Sequence, residues 1–187
     1  KTRKIGSPGI GYGNEIMIAD DNQNPLAAHE EGEIMVRGSN VMRGYLDRPE
    51  ETAKTITADG WLRTGDLGRM DEDGFVFVTG RIKELIIKGG ENIAPREVDE
   101  ALLEHDAVLE AAAFARPCQN YGQRVEACVR LKDGRNASEN DLREFCKNLL
   151  GAYKTPDHIH FLDDLPKGPS GKIQRMKLID LAPAAND

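Results

Sequence analysis

Apolar runs in the first half of this chain are short, and turn-forming residues separate them. Three such runs alternate or cluster apolar side chains over no more than six positions, at 14–18, 33–36 and 74–79. Runs of this length between Asp, Asn and Gly residues are typical of strands, because an amphipathic helix needs a longer stretch. The sequence therefore predicts that residues 5–80 are mainly β, with one helical turn at 49–56.

The second half adds two longer helical patterns. Residues 95–104 begin with a proline and place the apolar side chains of Val98, Leu102 and Leu103 on one helical face. Residues 138–150 begin with a serine and carry an apolar stripe that includes Leu142 and Leu149. Ser138 followed by Asp141 resembles a capping box, with Asp in place of the usual Glu, and Gly151 ends the pattern. The strands expected around these helices are at 85–87, 108–114, 126–131 and 158–161. This order predicts an α+β module in the second half, with a break from the β half near residues 80–83.

Composition excludes several classes of protein. The net charge of −7 makes non-specific nucleic-acid binding a poor candidate, because that activity needs a basic surface. No apolar run approaches the roughly 18 residues of a membrane-spanning helix. The three cysteines show no CxxC spacing, which argues against a disulfide framework and a structural zinc site, and the histidines form no metal-ligand pattern. A reducing cytoplasm is the expected location, and no metal site is predicted from these residues.

Four segments combine glycine with charge in ways that packing does not require. They lie at 61–66, 80–84, 88–92 and 166–173. In the first, Gly65 between Thr64 and Asp66 is expected to form a tight turn that presents a carboxylate. Such a carboxylate can accept two hydrogen bonds from a vicinal diol, although taken alone the segment is better explained as a capped turn.

The other three segments each offer one kind of ligand contact. The planar guanidinium of Arg81 suits phosphate or ribose oxygens. The paired glycines Gly89 and Gly90 allow a ligand to approach the backbone closely, but also suit an ordinary hairpin. The loop around Lys172 lacks the phosphate-loop spacing, so it is expected to be a mobile loop that brings one lysine to an anionic transition state. Each has an ordinary surface alternative that local sequence leaves open.

The order and spacing of these segments resemble the C-terminal part of the adenylate-forming enzymes. That superfamily includes acyl-CoA synthetases, peptide-synthetase adenylation domains and luciferases. The motifs that carry the resemblance are GEIMVRGSNVMRGYLDRPEET (32–52), WLRTGD (61–66), GRIKELIIKGGENIAPREVD (80–99), LLGAYKTP (149–156) and LPKGPSGKIQR (165–175). They cover nearly the whole chain, and their residue sequences are most similar to those of the oxalate–CoA and coumarate–CoA ligase group.

The resemblance implies a division of the chain. Residues 1–80 match the β-rich end of a large N-terminal domain, and residues 84–187 match a small mobile α+β lid domain. Residues 81–83 match the hinge between them, with Lys83 as the residue about which the lid rotates. The family's phosphate loop and its TE-containing motif are absent, so we expect a C-terminal fragment of a longer enzyme that has no ligase activity alone.

The resemblance also implies roles for individual residues. Asp66 matches the aspartate that binds the ribose hydroxyls of ATP, and Arg81 matches the arginine that contacts the ribose and the α-phosphate side. Lys172 matches the catalytic lysine that bridges the acyl carboxylate and the α-phosphate. The residues matching the segment that lines the path of the CoA pantetheine arm are Lys88, Gly89 and Gly90.

The implied reaction is an ATP-dependent, AMP-forming ligation of a carboxylic acid to CoA. ATP, Mg²⁺ and CoA are the implied cofactors or co-substrates, and the partners are a small carboxylic acid and the missing N-terminal domain. Lid rotation would exchange Lys172 for the glycine segment between the two half-reactions. Two alternatives stay open: an adenylation domain that serves a carrier protein, and a non-catalytic interaction module with the lid fold.

Overall fold

The computed structural model describes residues 3–183, and these divide into two compact units. The first ends at Lys83 and the second begins at Glu84. Both units combine a sheet with one or more helices, so the predicted α+β class is confirmed. No helix within residues 3–183 is long and apolar enough to cross a bilayer.

Within residues 3–83, five strands form one antiparallel sheet in the order β1-β5-β4-β3-β2. The strands are β1 (Gly9–Ile10), β2 (Asn14–Ala19), β3 (Gly32–Gly38), β4 (Leu62–Met70) and β5 (Phe75–Arg81). The helix α1 (Pro49–Thr55) connects β3 to β4 and starts at a proline. Cross-strand partners Ile18 and Ile34 pack with Val76 to form the apolar core of this unit.

Strand β4 was not predicted, because its sequence looks like a turn. Two glycines, Gly65 and Gly68, together with Asp66 give it poor intrinsic strand propensity. The strand forms because it is central, with β3 on one side and β5 on the other supplying backbone hydrogen bonds. A Cβ at Gly68 would lie 2.5 Å from the Phe77 carbonyl oxygen and 2.7 Å from Ile34 Cδ1, so close packing requires glycine there.

Across residues 84–183, a second sheet is centred on one long strand. Strand β9 (Gly122–Leu131) pairs antiparallel with β8 (Val108–Cys118) and parallel with β10 (His158–Phe161). It also meets β6 (Ile86–Lys88), which forms a hairpin with β7 (Glu91–Ile93). The helices are α2 (Pro95–Leu103), α3 (Glu139–Leu150) and α4 (Leu178–Leu181), with single 3₁₀ turns at Ile82–Glu84 and Arg175–Lys177.

Alternation along β8 creates apolar layers on both faces of this sheet. Ala111 and Ala113 belong to the cluster under α2 and α3, whereas Ala112 and Phe114 pack with Leu178 of α4. Side chains of a strand point alternately to opposite faces, so one strand can serve both clusters. The second unit is therefore a three-layer arrangement with its sheet in the middle.

The predicted helices α2 and α3 are confirmed, but their buried faces are narrower than expected. Val98 and Leu102 are fully buried, whereas Leu103, expected on the same face, is 45% exposed and Ala101 is buried instead. At 100° per residue, position 103 lies well away from position 98 on the helix. Leu149 of α3 is likewise 49% exposed.

The predicted capping box at the start of α3 is confirmed. The Ser138 hydroxyl oxygen accepts a hydrogen bond from the Asp141 amide at 3.1 Å. The Asp141 carboxylate accepts one from the Ser138 amide, also at 3.1 Å. Asp therefore replaces the usual Glu without loss of either bond, and these bonds satisfy two backbone donors.

A buried charge cluster joins three strands of the second sheet. The Glu126 side chain is fully buried, and its oxygens lie 2.6 Å from Arg116 Nε, 2.8 Å from Arg124 Nε and 2.8 Å from His160 Nε2. Burial raises the pKa of Glu126, but hydrogen bonds from His160 and the two arginines outweigh it and hold the pKa below its ordinary value. Local sequence shows no sign of this cluster, because its members meet only when β8, β9 and β10 pair in the sheet.

The three cysteines are free thiols. Burial raises the pKa of Cys128 to about 11 and that of Cys146 to about 11. Because the thiolate is the reactive form of cysteine, these two side chains act as small apolar groups in the core.

We expect Ser138→Ala to lower the free energy of unfolding by about 1 kcal/mol, because it removes one member of the capping box. Urea denaturation followed by circular dichroism measures the change. Ser170→Ala is the matched control, since Ser170 lies in an exposed turn. Equal stability of the two variants would contradict the capping role.

We expect Glu126→Gln to destabilise the protein by about 3 kcal/mol or more, because it removes the buried negative charge that both Arg116 and Arg124 contact. The folded-state pKa of Glu126 lies below the ordinary value of 4.5. The cluster therefore stabilises the protein above about pH 4.5, and this contribution is lost as the pH falls through the folded-state pKa. Urea titrations at several pH values measure both effects, with the exposed Glu144→Gln as control. A wild-type stability that does not fall with acid more steeply than that of Glu126→Gln would contradict the assignment.

Candidate functional site

The structure brings two of the sequence-predicted site residues together. Asp66 near the middle of β4 and Arg81 at the end of β5 are directly opposite each other in the sheet. The Arg81 Nε atom lies 2.9 Å from Asp66 Oδ1, and both side chains are partly exposed. Residues 15 positions apart thus present a carboxylate and a guanidinium side by side. Such a pair can accept hydrogen bonds from hydroxyl groups and donate them to an anion.

This pair lines an open cleft of about 440 Å³ in the first unit. That volume lies within the range of small-molecule sites. Its charged lining consists of the carboxylates of Glu33 and Asp66 and of the cations Lys54, Arg63, Arg81 and Lys83. Because the cations outnumber the carboxylates, the cleft favours an anionic ligand.

The backbone before Asp66 is held in a bulged conformation. Gly65 has a φ of +71°, which a side chain would strain. The Thr64 hydroxyl donates to the Ile34 carbonyl at 2.7 Å and accepts from the Asp66 amide at 3.1 Å. The register of β4 shifts against both neighbouring strands in this region. Asp66 is therefore directed by a bulge within a strand, where the sequence predicted a free turn.

Glu33 is the site residue that sequence reasoning missed. Its buried carboxylate accepts a hydrogen bond from the Gly65 amide at 3.0 Å and from Arg63 Nε at 2.9 Å. A buried carboxylate needs such partners, so these hydrogen bonds hold the backbone at Gly65 in the bulged conformation. The available signal was that Glu33, an acidic residue, begins the apolar run 33–36.

The Gly89–Gly90 pair forms the turn of the β6–β7 hairpin. Both glycines have positive φ, +56° and +89°, and both are exposed. Two positive φ values are the requirement of the tight hairpin turn that suits twisted strands. The Gly89 amide donates to the Tyr121 carbonyl at 2.9 Å, and a Cβ at Gly89 would lie 3.1 Å from the Tyr153 hydroxyl. The turn therefore exposes backbone beside two aromatic rings.

Lys88 is the last residue of β6, directly before this turn, and is only 7% exposed. Its ammonium lies 3.1 Å from an Asp157 carboxylate oxygen and within 6 Å of the rings of Tyr121 and Tyr153. The Tyr153 hydroxyl donates a hydrogen bond to the Lys88 carbonyl. These contacts hold the hairpin next to the glycine turn.

Lys172 lies on a turn that is closed by its own hydrogen bonds. Lys167 and Ile173 form an isolated β-bridge, and the Gly168 amide donates to the Lys172 carbonyl at 2.8 Å. Gly171, with a φ of +76°, completes the turn, and its amide donates a hydrogen bond to the Gly168 carbonyl at 2.9 Å. The turn exposes the Lys172 side chain.

Lys83, the predicted hinge residue, lies at the end of the first unit. It is exposed within the 3₁₀ turn Ile82–Glu84, and the next residue begins the second unit. The predicted nucleotide residues therefore belong to the first unit. Gly89, Gly90 and Lys172 belong to the second.

Two family profiles match the chain. The profile for the C-terminal domain of AMP-binding enzymes matches residues 97–172, and the profile for AMP-binding enzymes matches residues 1–46. Together they cover more than half of the chain.

Curated relatives with high identity carry the names of CoA ligases. Sulfoacetate–CoA ligase of Cupriavidus necator is 49% identical over 180 residues, which are 96% of this chain and 35% of the relative. Oxalate–CoA ligase of Saccharomyces cerevisiae is 43% identical over 92% of this chain and 32% of its own length. The chain thus spans about a third of the length of the curated relatives that it matches.

Solved structures give the same result. An o-succinylbenzoate CoA synthetase from Bacillus subtilis, in complex with its acyl-adenylate intermediate, aligns with a TM-score of 0.85 at 40% identity, over 94% of this chain and 36% of that one. ATP-bound MatB from Rhodopseudomonas palustris aligns with a TM-score of 0.90 at 32% identity, over 94% of this chain and 35% of that one. Fold, sequence profiles and relatives agree that this chain belongs to the adenylate-forming superfamily of AMP-binding enzymes.

Proposed function

We propose that this chain is the C-terminal part of an ATP-dependent, AMP-forming carboxylate–CoA ligase. The observation that carries the proposal is the ion pair of Asp66 and Arg81 in a cation-rich cleft. These are the two residues expected to bind the nucleotide. The names of the relatives favour CoA as the acyl acceptor over a carrier protein. The complete reaction belongs to a longer protein, since the matched relatives are about three times as long.

In the first half-reaction, a carboxylate attacks the α-phosphate of ATP, an acyl-adenylate forms and pyrophosphate leaves. The Asp66 carboxylate accepts hydrogen bonds from the ribose hydroxyls. The Arg81 guanidinium holds that carboxylate in place and directs its remaining donors to the ribose and the α-phosphate side. This fixes the nucleotide so that the α-phosphorus stays within reach of the attacking oxygen.

Lys172 supplies the charge that this step requires. Both reactants are anions, and negative charge gathers on the oxygens around the α-phosphorus in the transition state. An ammonium that contacts the acyl carboxylate and the α-phosphate lowers the cost of bringing them together. The hydrogen-bonded turn at 168–171 directly precedes Lys172 and leaves its side chain exposed, which suits this role.

In the second half-reaction, the CoA thiol attacks the acyl carbon and AMP leaves. The Gly89–Gly90 turn offers exposed backbone without side chains, along which the narrow pantetheine arm can pass. Lys88 supports this turn, because its ion pair with Asp157 holds the hairpin in place. Rotation about Lys83 would exchange Lys172 for this turn between the two steps.

Mg²⁺ is the remaining cofactor that the resemblance implies. Among residues 3–183, no group of three His, Cys, Asp or Glu side chains has the geometry of a metal site. Since Mg²⁺ is usually bound by one or two carboxylates together with substrate phosphates, the phosphates of ATP would supply most of its ligands.

We expect Lys172→Ala in the full-length enzyme to lower carboxylate-dependent ATP–pyrophosphate exchange by about 100-fold or more, because the step loses its positioned cation. Thioester formation from supplied acyl-adenylate should stay near the wild-type rate. Lys147→Ala, an exposed lysine on α3, is the control. Unchanged exchange in Lys172→Ala would exclude this role, and no exchange by the wild type with any acid in a broad panel would contradict the proposed function.

We expect Glu33→Gln to raise the KM for ATP by about tenfold, because loosening the bulge misplaces Asp66. If Glu33 acts through the ribose contact, the same substitution should have little effect on the KM for 2′,3′-dideoxy-ATP, which lacks both hydroxyls. Asp66→Asn serves as the reference and the exposed Glu15→Gln as the control. An equal rise with both nucleotides would show that Glu33 does not act through Asp66.

A further inference from the structure

The side chain of Arg175 joins three separate parts of the second unit. It is 17% exposed, and its Nη2 atom lies 2.7 Å from Asp99 Oδ2 on α2. Nη1 lies 3.2 Å from the other Asp99 oxygen and donates to the carbonyl of Ala113 on β8. Nε lies 3.3 Å from the carboxylate of Glu84. One guanidinium thus binds two carboxylates and a backbone carbonyl, using its planar arrangement of donors.

Asp99 is built into the same contact. It is buried in α2 and accepts a hydrogen bond from the Ala113 amide at 2.5 Å. Burial raises the pKa of Asp99, and the adjacent Arg175 opposes this effect. A buried ion pair is a weak source of net stability, because both ions lose their hydration. The ion pair does fix the position of the backbone at Arg175 relative to α2.

The chain between Lys172 and Arg175 is short and held throughout. Ile173 belongs to the β-bridge with Lys167 and packs against the apolar cluster under α4. The Gln174 amide donates to the Pro166 carbonyl at 2.7 Å. Lys172 is therefore three residues from a buried anchor, with no free link between them.

The other stem of the turn has a second, more exposed anchor. The Lys167 ammonium lies 2.9 Å from Glu110 and 2.8 Å from Asp164. These contacts are about one-third exposed on the lysine side, so solvent weakens them. The buried contact at Arg175 is consequently the stronger constraint on where the turn stands.

We propose that Arg175 is a positioning residue for Lys172, which it fixes to α2, to β8 and to the first residue of the second unit. The inference rests on the proposed function of Lys172. Glu84 directly follows the predicted hinge residue Lys83, so the same guanidinium ties the lysine-bearing turn to the start of the lid. Lys172 therefore moves with the lid as one rigid piece, and its ammonium reaches the α-phosphate in one defined arrangement.

The test uses Arg175→Lys in the full-length enzyme, which keeps the charge but loses the planar fork. We expect ATP–pyrophosphate exchange to fall about 10-fold to 100-fold, with thioester formation from supplied acyl-adenylate within about twofold of wild type. Arg135→Lys is the control, because Arg135 is an exposed arginine on the same unit.

A double variant separates positioning from general destabilisation. If Arg175 acts through Lys172, Lys172→Ala with Arg175→Lys should exchange no more slowly than Lys172→Ala alone, because the group to be positioned is gone. An equal loss in both half-reactions, or a further loss in the double variant, would overturn the proposal.

Folding and function are distinguished by two further measurements. Circular dichroism and thermal melting show whether Arg175→Lys folds. If it does not, Glu84→Gln removes only the negative charge from the 3.3 Å contact and should give a smaller loss, again confined to exchange. An unaffected exchange rate in a folded variant overturns the positioning role while leaving the proposed function intact. A wild-type enzyme without exchange would overturn both.

Discussion

A carboxylate removed from water must be compensated by opposite charge and hydrogen bonds, and this requirement organises both units. Glu33, Asp99 and Glu126 are buried carboxylates, and each is bound by at least one arginine. Each pair joins two different elements of secondary structure. Glu33 holds the bulge before Asp66, and Asp99 holds the chain after Lys172.

These anchors lie beneath the groups that are expected to contact ligands. Asp66, Gly90 and Lys172 are at least partly exposed, whereas the residues that fix their backbones are largely buried. Lys88 is another buried support, since it directly precedes the glycine turn and binds Asp157. A rigid support with an exposed contact group is the arrangement that accurate positioning requires.

The two units divide the proposed chemistry. The first carries the Asp66–Arg81 pair that we propose binds the ribose, and the second carries both the proposed adenylating lysine and the glycine turn. Because Lys172 and Gly90 belong to one folded unit, the proposed exchange of one for the other requires no local unfolding.

Elements with local signals could be predicted from the sequence. Periodicity and capping predicted α2 and α3, alternation predicted most strands, and the order of motifs was sufficient to recognise the superfamily. Features that depend on distant partners emerged only in the folded structure. Strand β4 exists because two neighbours pair with it, the Asp66–Arg81 contact follows from cross-strand register, and the roles of Glu33 and Arg175 come from buried ion pairs. Local sequence carries no information on which residues meet across a sheet, because that is settled by pairing and burial over the whole fold.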